Sequence, residues 1–333
     1  MNVLLTGGMG YIGSHVAVAL LQAGHRVVIY DSLCNSDAGV LARIEQITGK
    51  TPAFVQADVR ATKILADALK QHAVEAVVHF AGLKAVGESV RKPVEYYANN
   101  VEGTISLLKA MHEAEVCTLV FSSSATVYGE PQYLPLDESH PLSAANSYGR
   151  TKLHIEEMLR DLSVSEPLWR IVCLRYFNPV GAHESGLIGE NPVGIPNNLI
   201  PYIVRVAAGE LKELSVFGND YPTPDGTGIR DYIHVMDLAE GHMAALAWLV
   251  EHPGWHAINL GTGLGYSVLE MVSAFARASA RDVPFRIAPR RAGDVAACYA
   301  NPERALRELG WQAQRGLLDM CAGTWKFQSH NGI

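Results

Sequence analysis

A doubly wound parallel α/β sheet, with a smaller mixed α/β domain on its C-terminal side, is the fold this sequence predicts. Three observations carry the prediction. Short apolar runs alternate with helical stretches from residue 2 to residue 175, the pattern of strand–helix–strand units. A glycine-rich turn joins the first run to the first helix. After Phe177 the texture changes to Gly-, Pro- and Asn-rich loops with shorter elements between them.

Residues 2–6 are a short apolar run, read as a buried parallel strand. Gly7-Gly8-Met9-Gly10-Tyr11-Ile12-Gly13 follows and opens a helix that ends near Gly24. Glycines at these spacings permit a tight turn and let backbone N–H groups approach a diphosphate at the helix N-terminus, which makes the sheet Rossmann-type. The second strand, Arg26 to Tyr30, ends at Asp31, 18 residues after Gly13. That is close to the spacing, about 20, of a carboxylate that bonds an adenosine ribose. An acid there repels a 2′-phosphate, which favours NAD over NADP. Ala53 to Gln56 reads as the third strand, with Asp58 beyond it placed to contact an adenine. A helix is expected over 61–71, a strand from Glu75 to Phe80, and a long helix over 93–113 that includes Asn99 and Asn100. A strand over 119–124, a helix over 148–162 and a strand from Arg170 to Arg175 complete the alternation.

The second part begins with the loop from Asn178 to Pro196. A helix over 197–209, a strand over 215–218 and a loop over 218–229 follow. Next come the run Arg230-Asp231-Tyr232-Ile233-His234, a helix over 236–251 and a strand from Ala257 to Leu260. Ser267-x-x-Glu270 is a capping box opening another helix, and Asn301-Pro302-Glu303 offers an N-cap with proline in the first turn. The division falls at residue 179, with segments near 230–262 returning to the main sheet.

With 333 residues the chain suits one large domain with a smaller one attached. A net charge of −7 disfavours nucleic acid and anionic membrane as partners. No apolar run approaches the roughly 20 residues of a membrane span. The N-terminal run goes straight into a strand with no basic region, so a signal peptide is not expected. Five scattered cysteines without a C-x-x-C pair predict neither disulfides nor a metal site. A reducing, cytoplasmic setting fits.

The stretch from Leu119 to Lys152 carries the candidate chemistry. Tyr148 and Lys152 are four apart and share one helix face. A phenol has a pKa near ~10 and is a poor base at neutral pH. A nearby cation lowers it by roughly 1–3 units. Lys152 together with the positive charge of an oxidised nicotinamide brings the phenol into the working range. Ser124, at the end of the neighbouring strand, is placed to relay a proton or to bond the reacting oxygen. A lone Tyr-x-x-x-Lys is usually packing plus a solvated amine; the dinucleotide loop upstream gives this one weight.

The Thr6-Gly7-x-x-Gly10-x-x-Gly13 loop, Ser124 and Tyr148-x-x-x-Lys152 resemble the extended short-chain dehydrogenase/reductase superfamily. Within it, the longer runs His79 to Ser89, Arg175 to Ala182, Phe217 to Tyr221 and Arg230 to Val235 resemble the UDP-glucose 4-epimerase family across nearly the whole chain. The resemblance implies a 1–179 NAD-binding domain and a 180–333 UDP-sugar-binding domain. It implies Tyr148, Lys152 and Ser124 as the catalytic group. It implies an NAD site of Gly7, Gly10, Tyr11, Ile12, Gly13, Asp31, Asn35, Asp58, Val59, Phe80, Ala81, Gly82, Lys84, Asn99 and Phe177, completed by the catalytic residues. The UDP-hexose would be held by Lys84, Asn178, Asn198, Leu199, Phe217, Arg230, Arg291, Asp294 and Cys298, beside Ser124 and Tyr148. Guanidinium forks suit a diphosphate. The implied reaction is reversible inversion at C4 of a UDP-hexose by transient oxidation.

Cys298 falls where some members of the family carry tyrosine in the hexose-pocket wall, so UDP-N-acetylhexosamines are expected as further substrates. Tyr299 is adjacent, and a one-residue slip would exchange the two. A homodimer through the 93–113 and 148–162 helices is also implied. UDP-glucuronate epimerases or decarboxylases, sugar-nucleotide 4,6-dehydratases and a non-enzymatic dinucleotide sensor are the competing readings. Ala125 and Thr126, which cannot titrate, count against the dehydratase.

Overall fold

The computed structural model describes residues 1–192, 196, 198–291 and 293–330. Its main sheet takes strands β1 (Asn2–Thr6), β2 (Arg26–Asp31), β3 (Ala53–Gln56), β4 (Ala76–His79), β5 (Thr118–Ser124) and β6 (Arg170–Tyr176). Three short strands follow outside it: β7 (Asn178–Val180), β8 (Leu214–Phe217) and β9 (Ile229–His234). The chain then returns as β10 (Gly254–Leu260). The sheet order is β10-β6-β5-β4-β1-β2-β3, with every pair parallel. The order reverses between β1 and β4, and in such sheets the ligand crevice lies beyond the C-terminal strand ends at that point.

The helices of this part are α1 (Tyr11–Gln22), α2 (Val40–Thr48), α3 (Thr62–Gln71), α4 (Val86–Arg91), α5 (Pro93–Tyr96), α6 (Gly103–Glu113) and α7 (Ser147–Ser165). Successive side chains of a strand point to opposite faces, so each buried strand feeds two cores. Leu5 packs with Val16 and Leu20 of α1 and Ile44 of α2. Leu4, its neighbour, packs on the other face with Leu65 of α3, Leu107 of α6 and Ile155 of α7.

The second part adds α8 (Leu199–Ala207), α9 (Val235–Leu249), α10 (Val268–Ser279) and α11 (Leu317–His330). It also adds β11 (Gly265–Ser267), β12 (Phe285–Ala288) and β13 (Ala297–Cys298). β9 is its centre and pairs with β7 and β13 in parallel and β11 antiparallel, while β8 pairs with β12. Ile203, Phe275 and Met320 from α8, α10 and α11 close a separate core over it. The capping box at Ser267 and Glu270 forms both of its bonds, and Asn301 caps the turn after it by accepting from Glu303 N.

The structure departs from the sequence expectation in several places. The helix over 93–113 is one continuous rod, but residues Tyr97–Glu102 form a π turn inside it, and α4 is a separate helix before Pro93, whose ring cannot continue a helix from Lys92. α2, α11, β9, β11, β12 and β13 are additions to the expected elements, and β7 is a strand inside the stretch expected as a loop from Asn178. The helix expected over 197–209 is α8, and residue 197 lies outside the described residues.

Four buried histidines set an acid limit on this fold. Burial pushes His15 and His79 down to about 3, and His234 and His242 down to about 4. Above pH 6.5 each is neutral folded or unfolded, and the shift contributes nothing. As pH falls from 6.5 toward 4, the unfolded chain binds protons and the native chain does not, so stability drops. At pH 5 the loss is about 2 kcal/mol for each histidine. The carboxyls of half-buried Glu138 and buried Asp231 and Asp237, raised by desolvation, act in the opposite sense. Melting curves at pH 7.5 and pH 5.0 should differ by roughly 10 °C or more; equal midpoints would contradict neutral, buried imidazoles.

Candidate active site

Gly7 sits at φ +68°, and a Cβ there would lie 2.7 Å from Ala81 N and 2.9 Å from Ala81 Cα. A Cβ on Gly13 would lie 2.5 Å from Gly7 O and 2.7 Å from Gly8 Cα. The loop before α1 is therefore pressed both onto itself and onto the chain leaving β4. Thr6 fastens it: its Oγ1 accepts from Ala81 N at 3.3 Å and lies 2.6 Å from His79 Nδ1. Thr104 Oγ1 donates to Asn100 O, so it accepts from His79 Nε2 at 3.0 Å, which fixes the neutral ring with its proton on Nε2.

Asp31, at the end of β2, accepts from Met9 N at 3.0 Å through Oδ2 and from Leu33 N and Ser36 Oγ through Oδ1. Its carboxylate thus braces the glycine loop from below. Asp58 pairs with Arg60 at 2.6 Å, and its carbonyl accepts from Tyr30 at 3.0 Å. Val59 is buried, Phe80 packs 5.1 Å from the His242 ring, and Tyr11 donates to Gly181 O at 2.7 Å. Asn35 is exposed on the loop after β2. These residues follow the C-terminal ends of β1, β2, β3 and β4, the side of the sheet on which its order reverses. A glycine cradle without room for a Cβ, a helix N-terminus and an acid at the next strand end form a donor set that fits NAD.

Ser124 ends β5, where its backbone turns into a short 3₁₀ segment, Ala125–Val127, and its Oγ accepts from Thr126 N and Thr126 Oγ1. Asn146 caps α7 by accepting from Gly149 N at 2.9 Å, which sets the first turn bearing Tyr148. Burial pushes the Tyr148 phenol up to about 12, and its hydrogen bond with Ser124 pulls the other way. Lys152 is buried, donates to Ser122 O at 2.6 Å, and lies 5.9 Å from the Tyr148 ring centre and 4.7 Å from that of Phe121. Burial lowers its ammonium to about 8. Ser124, Tyr148 and Lys152, 28 residues apart at the extremes in sequence, thus meet at one strand end.

Lys84 and Asn198 both reach Glu190, at 3.3 and 3.2 Å. Arg291 pairs with Asp294 at 2.9 Å and lies over the Phe217 ring at 4.9 Å. Arg230, on β9, is in register with Cys298 of β13. Cys298 packs with Phe177, Val127, Tyr128 and Leu136, on the side of the Ser124 turn. Tyr299 points elsewhere: a Cβ on Gly265 would lie 3.2 Å from its ring. Asn178 lies half-buried on β7 and Leu199 half-buried at the start of α8. Asn99 is half-buried in the π turn, while its neighbour Asn100 binds both Leu83 N and Leu83 O and reaches Thr151.

Two supporting groups escaped the sequence reading. Glu190 lies in a polar loop with no periodicity to mark it. Glu156 and Arg175 form a buried pair; a charged residue inside the apolar run of β6 was the one available signal.

A parallel sheet of this order, a glycine loop at its switch point and Ser, Tyr and Lys gathered at the end of β5, two strands from β1, define a dinucleotide-dependent short-chain dehydrogenase/reductase. The chain belongs to the UDP-glucose 4-epimerase family. It is 56% identical over 331 residues to the UDP-glucose 4-epimerase of Bacillus subtilis, a match covering 99% of this chain and 98% of that one. Its fold is similar, at TM-score 0.98 and 56% identity, to the UDP-glucose 4-epimerase of Stenotrophomonas maltophila, solved with NAD and formylated UDP-arabinopyranose; 99% and 98% of the two chains are covered. The Bifidobacterium longum enzyme, solved with NAD+ and UDP, gives TM-score 0.96 at 51% identity over 99% of each chain. A broader family model, described as GDP-mannose 4,6 dehydratase, matches residues 4–324.

Proposed function

We propose that this protein interconverts UDP-glucose and UDP-galactose by inversion at C4, with Tyr148 as the acid–base residue and NAD as a resident cofactor. The observation that carries the reading is the meeting of Tyr148 with Ser124 at the end of β5, with Lys152 buried behind them. NAD, when bound, would supply the acceptor and later the donor of a hydride, and in its oxidised form a positive charge. Glycines 7, 10 and 13 with Tyr11, Ile12, Asp31, Asn35, Asp58, Val59, Phe80, Ala81, Gly82, Lys84, Asn99 and Phe177 would hold it.

Tyr148, as phenolate, takes the proton of the C4 hydroxyl and returns it after inversion. Ser124 bonds the same oxygen and limits where the sugar can sit. Burial, partly offset by the Ser124 hydrogen bond, holds the phenol at about 12, so the phenolate depends on cations. Lys152 is one of them, and it acts only while protonated. Inversion further requires that the sugar present its other face to the same phenol. Arg230 and Arg291 grip the diphosphate, with Asn178, Asn198, Leu199, Phe217 and Asp294 around the nucleotide end. Binding energy from this non-reacting part retains the intermediate while the hexose turns.

Cys298 faces the Phe177 cluster, and a small side chain there leaves space for a C2 N-acetyl group. UDP-N-acetylglucosamine and UDP-N-acetylgalactosamine are therefore substrates as well. Ala125 and Thr126 offer no titrating group to remove water, which sets this chain apart from a 4,6-dehydratase. The 1–179 part carries the cofactor and the 180–333 part the UDP-sugar.

The chain acts as a homodimer in the cytoplasm. α6 and α7 bound a groove lined by Leu108, Met158, Leu162 and Trp169 together with His112 and the charged Lys109 and Glu166. Beside it Val164 and Leu168 are 78% and 76% exposed, an apolar face suited to a second copy. No helix among the described residues is long and apolar enough to cross a membrane, and the five cysteines are unpaired. Sedimentation should give twice the chain mass, and Leu162→Asp should shift it toward the monomer; a wild-type monomer at micromolar concentration would rule the dimer out.

A further inference from the structure

Behind Ser124, Tyr148 and Lys152 lies a buried ion pair that the mechanism above leaves unused. Glu156 and Arg175 are each 1% exposed. The Arg175 fork donates to both Glu156 oxygens, at 3.1 and 2.7 Å. Ser123 Oγ donates to Glu156 Oε1 at 2.5 Å. Arg175 also donates to the Tyr128 hydroxyl at 3.1 Å, Tyr128 donates to Asn259 Oδ1 at 2.6 Å, and Asn259 donates to Leu136 O at 2.9 Å. One network therefore joins β5, α7, β6, the turn after Ser124 and β10.

Its members stand next to the reacting group. Glu156 is one turn beyond Lys152 on the same face of α7. Ser123 precedes Ser124. Arg175 precedes Tyr176, the register partner of Ser124. A buried ion pair is a poor device for stability alone, because apolar residues of equal volume commonly serve as well. Its place beside an ammonium that must stay charged suggests another use.

The charges that face Lys152 can be named. His79, from β4, is neutral, pushed down by burial. Cys173, from β6, is a thiol pushed well up by burial and carries no charge near neutrality. Tyr148 and Tyr176 are phenols raised by burial, as is Tyr128 beyond them. Glu138, raised by burial, lies on the far side of Arg175 and Asn259. Burial pulls the Lys152 ammonium down, and with Cys173 neutral, Glu156 is the anion that opposes it.

We infer that Glu156, held by Arg175 and Ser123, is a positioning residue for the reaction: it locks α7 against the end of β5 and keeps Lys152 a cation beside Tyr148. The inference rests on the roles proposed for Tyr148 and Lys152. Its consequence is a pH signature. Without the Glu156 charge, Lys152 loses its proton about one pH unit earlier. Activity of a variant relative to wild type should then fall as pH rises.

The test uses the holoenzyme and three variants: Glu156→Gln, the double variant Glu156→Met with Arg175→Met, and Tyr148→Phe. The double variant replaces both charges together, so it guards against misfolding from an orphaned Arg175. Circular dichroism and bound NAD per chain report folding. kcat and KM for UDP-galactose are measured from pH 6.5 to 9. For folded Glu156→Gln, kcat relative to wild type is expected near one at pH 6.5 and roughly tenfold lower at pH 8.5–9, with KM unchanged; the double variant, which also loses the Arg175 cation, falls in the same direction by less. A folded double variant whose loss is the same at every pH, or that loses nothing, overturns the inference. Turnover by Tyr148→Phe at the wild-type rate overturns the proposed catalytic group instead.

Discussion

Replacing Tyr148 with Phe is expected to lower kcat for UDP-glucose and UDP-galactose by about 10²–10⁴-fold, the range for loss of a positioned acid–base group. The substitution removes one oxygen. The ring stays, and with it the packing at the start of α7. The partner left behind, Ser124, keeps its bonds from Thr126, so no buried polar atom is orphaned. The variant should therefore fold, melt within a few degrees of wild type and carry NAD through purification. KM should change little, because the diphosphate grip assigned to Arg230 and Arg291 is elsewhere. A variant that turns over within a few-fold of wild type would mean that another group handles the C4 proton.

Replacing Cys298 with Tyr is expected to abolish most activity on the N-acetylated substrates while sparing UDP-glucose and UDP-galactose. The thiol is half-buried in the cluster of Phe177, Val127, Tyr128 and Leu136, and burial has raised it to about 11, so it acts as a small apolar body. A phenol ring at that position occupies the space an acetamido group needs. Overpacking of this kind costs about 1–3 kcal/mol, which is roughly 5- to 150-fold in kcat/KM. Changing Tyr299 instead should leave the ratio of the two substrate classes alone, because its ring lies against Gly265. Equal losses on both classes in the Cys298 variant, or none on either, would remove Cys298 from the hexose wall.

The alternation of apolar runs and helices was readable because parallel strands are buried on both faces and leave unbroken apolar stretches. Gly7, Gly10, Gly13 and Asp31 were readable because a diphosphate loop needs glycine at fixed intervals and an acid at the next strand end. Tyr148 and Lys152 were readable as a pair because helical spacing puts them on one face. Pro93 marked the break that makes α4 a separate helix, but nothing in residues 97–102 announced a π turn. α2 carries an apolar stripe, Val40, Leu41, Ile44 and Ile47, that was available as a signal, whereas α11 has only a weak one and is settled by packing.

From residue spacing alone come the parallel sheet, the dinucleotide loop and the candidate acid–base pair, since each follows from repeat distances along a strand or a helix. Only the folded chain decides what lies across space: that Cys298 and not Tyr299 shares the Phe177 cluster, that Asn100 rather than Asn99 clasps Leu83, and that Glu156 meets Arg175 and Ser123 behind Lys152. Those contacts join segments many residues apart, and side chains choose such partners by the direction in which packed elements present them, which no local pattern records.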